Sequence, residues 1–281
     1  MLKYTAAALL TCLLWATSAR GEDISVPVTW KGQEIQIRAR FYKPGGPGPF
    51  PLVIMLHHCG GLNDYYANNL GAYEALIGGQ GYAILEPDSF TARGVESDCE
   101  SGLVKPRDRA QDVFAAAEIM AARPDIKADR IGVIGWSHGA AAAVYVARDW
   151  PAERPWREKL AARGGKIAAS IALYGEVCGN PDRAQVVTPL LVLLGGMDYT
   201  TRPATCGTLA NAQANGIMQV HVYSDAFHAF DFPMASSGSS VDIDRPRSLP
   251  GAARGVIIGY NPAAAQDAHA RILAFFHHYL Q

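Results

Sequence analysis

Three residues of this chain, a serine, an aspartate and a histidine, each stand where an apolar run gives out, and together they have the types needed for acyl transfer. Ser137 lies in Gly135-Trp136-Ser137-His138-Gly139, after the run Ile131 to Ile134 and before the small residues Ala140 to Ala143. A strand that turns sharply into a helix at G-x-S-x-G exposes its serine above the sheet edge. Glycines flank that serine because Cβ atoms there would collide with neighbouring backbone. A serine hydroxyl is a poor nucleophile at neutral pH, so it needs a base, a carboxylate to orient the base, and donors for the oxyanion. Asp198 closes Gly195-Gly196-Met197-Asp198, 61 residues after the serine, and His228 ends Asp225-Ala226-Phe227-His228. His228 is read as the base that takes the Ser137 proton and later protonates the leaving group, with Asp198 holding its tautomer. Glu176 is the rival acid, because it too follows a strand. The oxyanion donors are expected to be the backbone amides of His138, next to the nucleophile, and Cys59, in His57-His58-Cys59-Gly60-Gly61. The side chains of that last run also raise the idea of zinc. Adjacent residues do not converge easily on one tetrahedral ion, and the sequence has no second spaced cluster, so neither metal nor cofactor is expected.

The elements that must position these groups follow from periodicity. Asp23 to Trp30 and Glu34 to Tyr42 read as a hairpin around Lys31-Gly32. Leu52 to Leu56, Tyr82 to Leu85, the strand before Ser137, Ile167 to Tyr174, Leu190 to Leu194 and Met218 to Tyr223 read as short buried strands. Helical spacing marks Tyr65 to Ile77, Pro106 to Ala122, the stretch after Ser137, Pro203 to Ala214 and Pro262 to Leu280. Residues 150 to 165 are a polar excursion with room for a short helix, and 233 to 259 read as a Ser/Gly/Pro-rich loop. Alternating strands and helices imply a mostly parallel sheet of about eight strands, the first two antiparallel, with helices on both faces. In such sheets ligands gather beyond the carboxyl ends of the strands, where His57 to Gly61, Ser137, Asp198 and His228 all fall. The order Ser, Asp, His is that of an α/β-hydrolase.

Residues 1 to 21 carry Lys3, an apolar run from Ala6 to Ala16, and small residues at Ser18, Ala19 and Gly21. This is the pattern of a secretory signal peptide, with cleavage expected after Ala19 or Gly21. The run is too short for a stable bilayer anchor. Cys12 lies inside the run, behind Thr11, and does not fit a lipoprotein site. Residues 22 to 281 then form a single domain, exported to the periplasm or beyond, with no membrane partner after cleavage. The chain has 25 basic and 26 acidic residues, and losing Lys3, or Lys3 and Arg20, leaves a net charge of minus two or minus three. That balance gives no basic field for nucleic acid. Export places Cys59, Cys99, Cys178 and Cys206 in an oxidising compartment, where three pairings are open. Neighbourhood favours Cys59 with Cys99 and Cys178 with Cys206, each pair joining loops at one end of adjacent strands.

Taken together, the motifs resemble the dienelactone hydrolase family of α/β-hydrolases, in particular its exported, cysteine-containing members. The resemblance rests on Leu56 to Leu62, Asp88-Ser89-Phe90 with Arg93-Gly94 and Cys99, Arg109 with Asp112, Gly135 to Gly139, Gly195 to Asp198 with Cys206, and Ala226 to Asp231. These pieces span nearly the whole mature chain. Two departures stand out. Ser137 occupies the place of the family's founding cysteine, which shifts the expected reaction toward ordinary ester or lactone hydrolysis of a small molecule through an acyl-enzyme. His58 replaces a usual glycine and adds bulk at the site mouth. A peptidase or polyester hydrolase on the same scaffold is the alternative within catalysis. A binding protein that keeps only the fold is the alternative outside it, and it would be marked by loss of a triad residue.

Overall fold

In the computed structural model the described residues are 21–62, 64–175, 185–198, 206–207, 210, 216–233, 235, 239–241 and 256–281. The chain runs through β1 (Glu22–Trp30), β2 (Gln33–Tyr42), β3 (Phe50–Leu56), α1 (Asp64–Gly78), β4 (Ala83–Pro87), α2 (Pro106–Ala121) and β5 (Ile126–Trp136). It continues through α3 (His138–Ala147), α4 (Arg154–Ala162), β6 (Ile167–Leu173), β7 (Leu190–Gly195) and β8 (Met218–Tyr223). The last elements are the short β9 (Ser239–Val241) and β10 (Val256–Ile258), then α5 (Pro262–Leu280). Eight strands form one sheet in the order β1-β2-β4-β3-β5-β6-β7-β8. The β1–β2 and β2–β4 pairs are antiparallel, and every pair from β4 through β8 is parallel. This is an α/β-hydrolase fold, as the alternation of elements implies.

The pleat of the central strands sorts their side chains between two cores, because successive residues point to opposite faces. On β3, Leu52, Ile54 and Leu56 pack with Val113, Phe114 and Met120 of α2, Ala140 and Ala143 of α3, and Leu160 of α4. Val53 and Met55 turn the other way, to Tyr73 and Ile77 of α1 and Ile272, Phe275 and Phe276 of α5. The consequence is a strand buried along almost its whole length, which explains why β3 reads as an unbroken apolar run. Each such side chain contributes about 1.5–3 kcal/mol of burial, and the sheet edge is thereby held rigid beneath the site. In the β1–β2 hairpin, Lys31 and Gly32 both have positive φ, 49° and 78°, the geometry of a two-residue primed turn that matches strand twist.

The polar excursion holds the short helix it has room for, a 3₁₀ turn at Pro151–Glu153 that runs directly into α4. Prolines at 151 and 155 start these turns instead of breaking them, since the first positions of a helix need no amide donor. The stretch read as a loop from 233 to 259 holds the antiparallel β9–β10 ribbon. Its three-residue strands are too short to show alternation, and β10 gains further support from a bridge between His228 and Ile258. Residues 1 to 20 of the proposed leader lie outside the described residues, as does most of the helix expected at Pro203 to Ala214. Among the described residues no helix is long and apolar enough to cross a membrane.

Candidate active site

Ser137 sits between β5 and α3 with φ 51° and ψ −114°, a conformation that costs a non-glycine residue free energy and persists only where its surroundings hold it. Those surroundings are tight. A Cβ on Gly135 would lie 2.2 Å from the Gly139 carbonyl oxygen, and one on Gly139 would lie 2.2 Å from that of Leu56. The backbone of β3 and the start of α3 therefore touch directly. The Ser137 amide donates to the Leu173 oxygen at 2.9 Å, and Ser137 O accepts from the Ala141 amide at 3.2 Å.

The turn after β7 is laid against the turn after β8. A Cβ on Gly195 would come within 2.5 Å of the Ala226 oxygen, so only glycine permits that approach. The Gly196 amide donates to Tyr223 O at 2.7 Å and the Met197 amide to Ala226 O at 2.9 Å. This zipping brings the Asp198 carboxylate to the ring of His228, with Oδ2 2.8 Å from Nδ1. The other ring nitrogen, Nε2, lies 3.0 Å from Ser137 Oγ. Asp198 is almost fully buried, its side chain 1% exposed, whereas that of His228 is 13% exposed. A buried carboxylate is an acceptor only, so it fixes Nδ1 as the protonated nitrogen and turns the Nε2 lone pair toward the serine hydroxyl. Tyr174 packs edge-on against the His228 ring at 4.8 Å and limits its rotation.

The loop after β3 is held by its own histidines. The Ser89 amide donates to His57 Nε2 at 3.3 Å, which leaves Nδ1 to donate to the His58 carbonyl at 2.8 Å. That carbonyl belongs to the same peptide group as the Cys59 amide, so the bond both orients and polarises it. The Gly60 amide donates to His58 Nδ1 at 2.6 Å. Burial, with the charges of His228 and Arg109, pushes the His58 imidazole down to about 3. It is therefore a neutral, half-buried ring at the mouth of the site. Among the described residues, the amides of Cys59 and His138 donate to no acceptor. Cys59 is joined to Cys99 in a disulfide, which ties this loop to the loop after β4, and the Asp98 amide donates to Cys59 O at 2.7 Å.

His138 is set by two flanking charges. Arg109 Nη1 donates to its Nδ1 at 2.9 Å, and Asp98 Oδ2 lies 3.6 Å from its Nε2. Burial and the Arg109 charge, only partly opposed by Asp98, bring this imidazole down to about 3. Among the described residues no group of three or more histidine, cysteine, aspartate or glutamate side chains has the arrangement of a metal site.

A family model for the dienelactone hydrolase family matches residues 37–154 and 158–280. The chain belongs to this family. It is accordingly a hydrolase of the carboxylic-ester class. Solved structures agree on the fold. A putative dienelactone hydrolase from Klebsiella pneumoniae superposes with a TM-score of 0.64 at 20% identity, over 92% of this chain and 99% of that one. A dienelactone hydrolase-like promiscuous phosphotriesterase from metagenomic libraries gives 0.64 at 18% identity, over 93% and 99%. A ferulic acid esterase from Streptomyces cinnamoneus gives 0.63 at 17%, over 92% and 89%. Among curated proteins none matches the sequence.

Of the residues singled out in the sequence, Ser137, Asp198 and His228 meet at hydrogen-bonding distance, and Cys59 and His138 lie on the two segments that abut at Gly139. Cys59 pairs with Cys99 as expected. Cys206 is buried and disulfide-bonded, while Cys178 and the rival acid Glu176 lie outside the described residues. The sequence reading assigned no role to Arg109, Asp98 or the His57 ring. It also missed the buried pair of Arg93 and Asp112, bonded at 2.9 and 2.7 Å with neither side chain exposed. Charged residues at the inward positions of α2, among Ala110, Val113 and Ala117, were the signal available.

Proposed function

We propose that this family member is an exported serine hydrolase that cleaves a small carboxylic ester or lactone through an acyl-enzyme on Ser137. Ser137 Oγ attacks the carbonyl carbon as His228 Nε2 takes its proton, and Asp198 stabilises the imidazolium that forms. Negative charge collects on the former carbonyl oxygen, where the amides of Cys59 and His138 are its donors. The tetrahedral species collapses when His228 returns the proton to the departing alkoxide. For a lactone, that alcohol stays tethered to the acyl group. Water, deprotonated by the same imidazole, then attacks the acyl-enzyme, and a second collapse releases the acid and regenerates Ser137.

One observation carries this reading: a serine held at positive φ with a carboxylate-bound imidazole 3.0 Å from its hydroxyl. Export rests on the charged, apolar and small-residue sequence of positions 1 to 21, with the Cys59–Cys99 disulfide in support. A fluorophosphonate probe tests the nucleophile. The wild type is expected to be labelled at Ser137 and Ser137→Ala to be silent, and equal labelling of the variant would remove the assignment.

A further inference from the structure

Two oxyanion donors on different segments are useful only if something fixes one segment relative to the other. Arg109 lies on the inward side of α2 with no exposed surface. One arm of its guanidinium donates to the carbonyl of His57 at 2.7 Å, and the other to Nδ1 of His138 at 2.9 Å. His57 opens the loop that carries the Cys59 amide, and His138 carries the other amide itself. We propose that Arg109 is the positioning residue of the oxyanion hole, a rigid fork that sets the loop after β3 against the start of α3 so that both amides converge. This rests on the reading of Ser137 as the nucleophile. Arg109 touches no substrate, because it is wholly buried, and acts through His57 and His138.

The chemistry of the fork suits the task. A guanidinium is planar and keeps its charge, so its two arms hold a fixed mutual geometry that a lysine ammonium on a flexible stem does not reproduce. Its charge also opposes protonation of the imidazole that must accept from it. The groups facing His138 are Arg109 and Lys105 on the cationic side, Asp98 on the anionic side, and the neutral ring of His57. Loss of the Arg109 charge removes the largest charge opposing protonation, so that with burial and Lys105 still lowering it and Asp98 still raising it the ionisation of His138 moves upward.

The test compares Arg109→Met, Arg109→Lys, His138→Leu and the double variant Arg109→Met/His138→Leu, with a soluble p-nitrophenyl ester and with thermal melts. Misplacing a donor by about 1 Å costs on the order of 10²-fold. Arg109→Met is therefore expected to lower kcat about 10- to 100-fold while KM changes little, with Arg109→Lys falling between it and the wild type. Losses in the double variant should be markedly less than multiplicative, because one variant removes what the other acts through. The pH profile of kcat/KM in Arg109→Met should gain an ionisation absent from the wild type and lost again in the double variant. A kcat within twofold of wild type in Arg109→Met would overturn the proposal. So would fully multiplicative losses with an unchanged pH profile, the mark of a mere brace. If Arg109→Met fails to fold, the lysine and leucine variants decide by the same kcat criterion. Wild-type labelling at Ser137 by the fluorophosphonate probe keeps the two questions apart: its absence would count against the nucleophile, whereas its presence beside an indifferent Arg109→Met would count against Arg109 alone.

Discussion

Gly139→Ala probes how closely the two halves of the site must approach. The added methyl would sit 2.2 Å from the Leu56 oxygen and 2.7 Å from the His57 oxygen, whereas real Cβ contacts essentially never fall below 3.0 Å. Both obstacles are backbone atoms, so no rotamer change relieves them. The start of α3 must therefore retreat from the end of β3 by at least 0.8 Å, carrying the His138 amide away from that of Cys59. A displacement of that size at a reacting centre costs on the order of 10²-fold in kcat. Overpacking of this kind typically destabilises by about 1–3 kcal/mol, which in a domain of this size lowers the melting temperature by roughly 2–10 °C. Steady-state hydrolysis of a p-nitrophenyl ester, run beside a thermal melt, reads both quantities. Gly71→Ala in α1 is the control, since a Cβ there meets nothing within 4 Å. It should leave kcat unchanged and be neutral or stabilising by up to about 1 kcal/mol. A folded Gly139→Ala protein with kcat within threefold of wild type would show that the approach of these segments does not govern the reaction.

Asp198→Asn is expected to lower kcat about 10⁴-fold with the fold intact, by analogy with triads whose acid is made neutral, while Glu176→Gln changes it by no more than a few-fold; equal losses in the two would displace Asp198 from the acid role. Arg93→Met leaves the buried Asp112 carboxylate without its bidentate partner and should cost about 3–5 kcal/mol in denaturant unfolding, so a loss below 1 kcal/mol would contradict the burial argument. Burial pushes Glu153, which has no exposed surface, up from 4.5 to about 8. A carboxyl raised on folding contributes stability that is full below about 4.5 and is lost as pH rises through about 8. Glu153→Gln should therefore gain melting temperature relative to wild type on going from pH 5 to pH 9, and a difference that stays constant with pH would rule the ionisation out.

The parts of the molecule that were readable in the sequence are those specified by local pattern. β3 is visible because a strand covered on both faces has no reason to alternate, and the closing helix because its apolar positions return every three or four residues. Gly135, Gly139 and Gly195 were conspicuous because backbone closeness excludes every other residue, and they lead straight to Ser137 and Asp198. What escaped was set by tertiary contact. Arg109 follows Asp108 and precedes Ala110 on α2, and nothing in that local pattern says that its guanidinium crosses to β3 and α3. Asp98 likewise sits in a polar loop. Its carboxylate accepts from the amides of Leu103 and Val104 at 2.7 and 3.1 Å, a turn built from residues that carry no periodic signal. The β9–β10 ribbon escaped for a related reason, since part of its support comes from His228 rather than from its own sequence.

Four histidines crowd this site, yet the reaction needs one of them to move a proton, and the hydrogen bonds explain the selection. An imidazole acts as a base only through a ring nitrogen whose lone pair is open to the proton. In His57 that nitrogen accepts the Ser89 amide, in His58 the Gly60 amide, and in His138 the Arg109 guanidinium. Burial and the Arg109 charge oppose protonation of all three. His228 differs in its partners. Its Nε2 faces the Ser137 hydroxyl, and its Nδ1 rests on the Asp198 carboxylate at 2.8 Å. His138 has a carboxylate too, but Asp98 stands at 3.6 Å and is opposed by a guanidinium in hydrogen-bond contact with the same ring. The same cation that spans the segments of His57 and His138 thus adds to burial and to the backbone amides in disfavouring the three competing rings, and in His138 it occupies the lone pair itself.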